Sequence, residues 1–200
     1  MESLEFALPR IREAIRQKSQ PGKPLFIAID GPAASGKTTL GTALAREYPA
    51  ALVHMDDFFL PPVLRTPERL DTPGGNVHWE RVRAQVLEPL ARGETAEYGV
   101  FDCGVMAVTR TARAEPAPLI LVEGSYSLHP RLRAFYGLKV FLTLDPEEQL
   151  ERIRRRSGEE LLETFRTRWI PLEEQYFAAF SISQRCDILL QSETEAPYVR

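Results

Sequence analysis

Apolar residues in this chain collect into short unbroken runs and do not alternate with polar ones. LFIAID (25–30), AALVHM (50–55), LILVEG (119–124), VFLTL (140–144) and CDILL (186–190) are the clearest. A strand with one wet face alternates, whereas a strand covered on both faces stays apolar throughout, so these runs predict buried parallel strands. The segments between them carry the helical period. Leu8, Ile11 and Ile15 mark a leading helix over Pro9–Gln17 that QPGKP ends, and Leu40, Ala43 and Leu44 mark one over Gly36–Glu47. Trp79, Val82, Val86 and Leu90 mark a third, with Pro89 and Gly93 near its end. Asp145-Pro146 opens a helix through ERIRRR, and a further helix runs from about Glu159 to Phe180, bent at Pro171. Residues 60–76 are rich in Pro, Thr, Gly and Asp and predict an irregular excursion, and 97–113 alternate loosely as a hairpin would. Strands alternating with helices predict an α/β protein with a mostly parallel sheet between two helical layers.

Composition narrows the function classes. The 200 residues are 44% hydrophobic and 26% charged, ordinary globular usage, with a net charge of −3 and a pI near 5.7. That balance argues against a nucleic-acid partner held by bulk attraction to phosphate. Cys103 and Cys186 are too few for a disulfide framework, and His54, His78 and His129 lack zinc spacing. No apolar run is long enough to span a bilayer, and the charged N-terminus does not read as a signal peptide, so a cytoplasmic soluble protein is expected.

GPAASGKT, Gly31 to Thr38, fits G-x-x-x-x-G-K-[ST] with a buried strand before it and a helix after it. The glycines let successive N–H groups converge on an anion, and the following helix adds the positive end of its dipole. The expected nucleotide-triphosphate site takes in Gly31, Ala33, Ala34, Ser35, Gly36, Lys37, Thr38 and Thr39, with Lys37 reaching the β- and γ-phosphates of ATP and Thr38 offering its hydroxyl to Mg²⁺. This makes the fold a P-loop NTPase three-layer sandwich. Glu123 ends a strand on the carboxyl edge of the sheet, where ligands bind, and is the expected carboxylate for Mg²⁺.

VHMDDFFLPP (53–62) puts two aspartates at the end of the strand that follows the phosphate-loop helix. An aspartate there can orient an acceptor hydroxyl and take its proton, with Phe58 and Phe59 excluding water. The pair could alternatively cap a turn and face solvent, a reading that the neighbouring phosphate loop disfavours. Arg152 and Arg156, four apart in EEQLERIRRRSGEE, share one helical face and would grip phosphate oxygens, or else pair with Glu147, Glu148 and Glu151 on a solvated helix.

GPAASGKTTL, then DDFF, then VEG, then an arginine-crowded helix resembles the uridine kinase / nicotinamide riboside kinase branch of the P-loop kinases, relatives of phosphoribulokinase and bacterial pantothenate kinase, over about Phe26 to Phe177. The resemblance implies an ATP- and Mg²⁺-dependent kinase with Asp56 as catalytic base, Glu123 assisting Mg²⁺, and a mobile lid whose Arg152 and Arg156, with Arg155 as a further candidate, cover ATP. It implies one kinase domain over 1–200, divided into a helix and linker at 1–22, an acceptor-binding excursion at about 60–113 and a lid at about 150–166. The acceptor implied is a small nucleoside-like molecule, with no nucleic-acid or membrane partner. Asp56, Asp57, Phe58, His78, Tyr98 and Asp102 are the expected acceptor contacts: Asp102 for ribose hydroxyls or as a cap of the flap, His78 and Tyr98 for stacking. FDCGVMAV, from Phe101, departs from the family's YDF-and-histidine pattern, and Met106 stands where that histidine would be. An acidic or phosphorylated acceptor, with Arg65, Arg69 and Arg81 available to it, is the alternative; an NTP-dependent switch is a third reading, which would not need the DDFF element.

Overall fold

The computed structural model describes residues 4–192, with side chains from Ala7 to Gln191. The leading helix is α1 (Leu4–Lys18), and Pro9 lies inside it, not at its start. A proline in the second turn removes one early N–H bond, a small loss for a helix that buries Ile11 and Ile15. β1 (Leu25–Asp30) leads through the glycine-rich loop into α2 (Lys37–Glu47), and β2 (Ala50–His54) follows. The excursion at 60–76 is more ordered than its composition predicts. It holds a 3₁₀ turn at Pro62–Leu64 and a short α3 (Pro67–Asp71), whose cap Thr66 accepts from the Arg69 N–H. The next helix comes as α4 (Trp79–Val82), a π-turn at Arg83–Leu87 and α5 (Glu88–Ala91). Pro89, lacking an N–H, cannot continue a regular ladder, and the π-turn absorbs the mismatch.

β3 (Ala96–Asp102) and β4 (Ala107–Ala114) form the expected antiparallel hairpin, bulged between Val100 and Phe101. β5 (Leu119–Glu123) and β6 (Leu138–Leu144) return to the main sheet, which β7 (Ile188–Ser192) completes. Between the last two strands, α6 (Pro146–Thr164), a π-turn (Phe165–Trp169) and α7 (Ile170–Phe180) run in succession. The sharp break is at Gly158, with φ 80°, where the second expected helix begins, and Pro171 lies just past the π-turn, which absorbs its missing N–H as the one before Pro89 does.

The main sheet is parallel throughout, in the order β2-β5-β1-β6-β7. Side chains alternate between its faces. Leu25, Ile27 and Ile29 join Ile11 and Ile15 of α1 and Leu40 and Leu44 of α2 on one side; Phe26, Ala28, Val53 and Val122 meet the α4–α5 segment and Tyr176 of α7 on the other. Both faces are covered, which is why the strands read as apolar runs. The carboxyl ends of β1, β2 and β5 then lie side by side at one edge.

Candidate active site

Three strand ends bring the chemistry together. Gly31, with φ 147°, turns the chain out of β1, and a Cβ there would strike the Leu142 carbonyl; Gly36 caps α2 with φ 94°. The loop is propped from beneath by Asp30, wholly buried. Its carboxylate accepts from the Gly31 N–H at 2.7 Å, from the Tyr126 and Leu128 N–H groups at 3.1 and 2.9 Å, and from Tyr176 Oη at 2.8 Å. Burial still outweighs these donors and pushes its pKa up to about 6.

Side chains of α6 and α7 hold the crown of the loop. Glu173 of α7, buried, accepts from the Ala33 N–H at 2.9 Å and from Ser125 Oγ at 2.7 Å. Gln149 Nε2 of α6 donates to the Ala33 carbonyl at 3.1 Å, and Arg152 Nη1 donates to the Ala34 carbonyl at 3.4 Å. Glu173 and Gln149 escape a sequence reading: each looks like one more polar residue on a charged helix, and each meets Ala33 across more than a hundred positions. Ser35 is buried, its hydroxyl without a partner among the described residues, and Lys37 Nζ donates to the Pro32 carbonyl at 2.7 Å.

At the mouth of the loop, Thr38 Oγ1 donates to Glu123 Oε1 at 3.0 Å, and Thr39 is exposed beside it. Parallel pairing sets His54 opposite Glu123, and His54 Nδ1 lies 2.5 Å from the same carboxylate oxygen. That bond raises the His54 pKa above the usual imidazole value against the opposing effect of burial. Among the described residues no group of three or more His, Cys, Asp or Glu forms a metal cage. One hydroxyl and one carboxylate of hard oxygen chemistry, beside a phosphate loop, nevertheless fit Mg²⁺, which takes one or two protein oxygens and fills its octahedron with water and phosphate.

Asp56 and Asp57 lie in a 3₁₀ turn (Met55–Phe58) directly after β2. Asp56 is an exposed residue, yet the protein around its carboxylate raises its pKa by desolvation. The charges acting on it are those of Lys37 in the loop, Glu123 at the end of β5, Arg156 of α6 and His54. Asp57 turns elsewhere: burial raises its pKa too, while His54, Arg110 and Arg81 pull it down.

The remaining expected contacts divide. Phe58 is fully buried and stacks on the buried Tyr98, centroids 5.1 Å apart, so each ring spends a face on the other. Burial and the nearby Asp57 raise the Tyr98 pKa. Asp102 Oδ1 accepts from the Gly104 N–H at 2.7 Å and caps the flap turn, in which Met106 has φ 56°. His78 precedes α4, its ring Nδ1 buried without a partner among the described residues; Trp79 stacks on His129 at 5.5 Å. In α6, Arg152 pairs with Glu148 at 2.7 Å and Arg155 lies 3.7 Å from both Glu148 and Glu151. Arg156 instead donates to Ser157 Oγ and lies over the Phe165 ring.

No family model matches this chain. A uridine kinase of Clostridium perfringens is 26% identical over 140 residues, 65% of this chain and 66% of that protein, so the match leaves about a third of that relative unaligned. A uridine kinase of Streptococcus uberis is 28% identical over 176 residues, 77% of this chain and 80% of the relative. Among solved structures, a possible uridine kinase from Bacillus stearothermophilus superposes with a TM-score of 0.65 at 18% identity, over 90% of this chain and 99% of that one. Phosphoribulokinase from Rhodobacter spheroides does so at 0.57 and 15%, over 89% and 75%. Parallel sheet, phosphate loop and solved structures agree on the α/β P-loop NTPase fold, and the curated proteins that the chain resembles at 26–28% identity are uridine kinases.

Proposed function

We propose that this protein transfers the γ-phosphoryl group of ATP to a hydroxyl of a small nucleoside-like molecule. The observation that supports the reading is the setting of Asp56, an exposed residue directly after β2 on whose carboxylate the charges of Lys37, Glu123 and Arg156 all act. In this reading the loop amides and Lys37 hold the phosphates, and Thr38 and Glu123 hold Mg²⁺, which would neutralise phosphate charge. Asp56 accepts the proton of the attacking hydroxyl, and its raised pKa makes it a better base. Arg156 offers charge to the phosphoryl group in flight, while Arg152 and Gln149 tie the lid helix to the loop.

The nucleoside-like acceptor is supported by the names of the curated relatives. An acceptor bearing an acidic group is a second reading, favoured by the arginines around Trp169. The test is release of ADP with and without acceptors, followed by mass spectrometry of the products. Acceptor-stimulated, Mg²⁺-dependent ADP release with a phosphorylated product is expected, and chelation of Mg²⁺ should abolish it. Slow hydrolysis indifferent to every acceptor would instead favour the switch reading.

A further inference from the structure

The π-turn Phe165–Trp169 places two aromatic rings four residues apart, and three guanidinium groups rest on them. Arg156 Cζ lies 5.5 Å from the Phe165 centroid, while Arg65 and Arg168 lie 5.7 and 4.7 Å from that of Trp169. An aromatic face holds a guanidinium in place and leaves its edge donors pointing outward. Among the described residues none of these three arginines has a carboxylate at ion-pair distance, whereas their neighbours do: Arg69 grips Glu80 and Arg166 pairs with Glu163. The other arginines near the acceptor excursion are committed internally. Arg69 also donates to the Gly75 and Val77 carbonyls, and Arg81 donates to the Gly99 carbonyl and to Gln85.

Arg65 differs. Its Nε donates to the Leu60 carbonyl at 2.7 Å, and its two terminal nitrogens have no bond to another described residue. Leu60 is four positions beyond Asp56, so this contact ties the guanidinium back toward the base. Half-buried Arg65 and exposed Arg168 repel each other across one indole, and both burial and that repulsion lower the Arg65 pKa. Cys103, at the flap tip, feels both the Asp56 and Arg65 charges, which links the pair to the acceptor crevice. Two like charges held together without a counter-ion make a receptor for one.

We infer that Arg65 and Arg168, propped on Trp169, form a subsite for an anionic group of the acceptor, a carboxylate or a phosphate ester set apart from the hydroxyl that Asp56 serves. The subsite rests on the phosphotransfer reading and deepens it: whatever the scaffold, the acceptor is a hydroxyl compound carrying a compact negative charge.

The experiment compares matched neutral and anionic acceptors at saturating ATP: uridine with orotidine, glycerol with glycerate, ribose with ribose 5-phosphate. At least one anionic member is expected to exceed its neutral partner about 30-fold or more in kcat/KM, the worth of a charge-assisted bidentate contact. Arg168→Gln should raise KM for that member by about 10–100-fold and leave kcat and the KM for ATP within about threefold. Arg168 is exposed, so the substitution does not threaten the fold; Arg65→Gln is the second variant. Preference for the neutral members, or an anionic KM unmoved by both substitutions, overturns the subsite and leaves phosphotransfer standing. If no acceptor is phosphorylated, phosphotransfer fails by itself. Calorimetric titration of glycerate and ribose 5-phosphate into protein loaded with a non-hydrolysable ATP analogue then decides the subsite: binding lost in Arg168→Gln supports it, and no binding to the parent overturns it.

Discussion

In the proposed reaction Asp56 is the residue on which the chemistry turns, and its environment makes two predictions. Asp56→Asn keeps the side chain's shape but removes its basicity, so turnover should fall about 10²–10⁴-fold while nucleotide affinity stays within about threefold; equal turnover in the mutant would remove Asp56 from the mechanism. Because desolvation raises its pKa, the base becomes protonated at a higher pH than an ordinary aspartate. Activity should therefore fall on the acid side at a higher pH than an ordinary aspartate would give, and a limb of kcat/KM at or below that of an ordinary aspartate would count against the assignment. Glu173 acts one step back. Glu173→Ala would strand the Ala33 N–H and Ser125, costing about 1–3 kcal/mol of stability and raising the KM for ATP. Glu173→Gln can accept from Ala33 and donate to Ser125, so it should restore most of that KM; a glutamine variant as impaired as alanine would point to the charge and not the geometry.

At the level of elements, the helical run from Pro146 to Phe180 packs against the glycine-rich loop, and it is interrupted at two kinds of place. Gly158 adopts φ 80°, and nothing lies within 4 Å of a Cβ built there. Gly158→Ala therefore meets no steric neighbour and pays only the backbone penalty of a region that is essentially glycine-only, about 1–3 kcal/mol. For a chain of this size that corresponds to a fall of a few degrees in Tm, checked by calorimetry. An unchanged Tm would mean that the break closes into continuous helix at no cost. The π-turn beyond it swings Phe165 and Trp169 into position to prop arginines, an arrangement that a regular helix over the same residues would not give.

Across the whole molecule, Asp30 is the node at which β1, the segment after β5 and α7 meet. Its pKa in the folded chain, about 6, lies above the ordinary 3.8, so folding favours its protonated form. The stability this contributes is full below pH ~4 and is lost as pH rises through about 6. Denaturant unfolding should show a decline in stability across that window that Asp30→Asn lacks; an identical slope in the mutant would assign the decline elsewhere. Independently of pH, an asparagine NH₂ set against N–H donors should cost about 2–4 kcal/mol. Holding the loop from below through one carboxylate means that the same residue serves stability and nucleotide binding.

The architecture was legible because it rests on local rules. A strand covered on both faces must be apolar at every position, so LFIAID and LILVEG announced the central pair, and Gly31 and Gly36 are required wherever the backbone turns left-handed around a phosphate. Strand ends on one edge of a parallel sheet must be neighbours, which is why Glu123 could be set near Thr38 before any coordinates. The helix limit at Pro9 was less legible, since a proline early in a helix permits more than one continuation, whereas the two expected helices already met at Gly158, where the structure breaks. The partners of Glu173, Gln149, Arg65 and Arg168 were not legible at all. A charged residue on an amphipathic helix has the same local signature whether it faces water or a buried amide, and only the packing of α6 and α7 over the phosphate loop distinguishes the two.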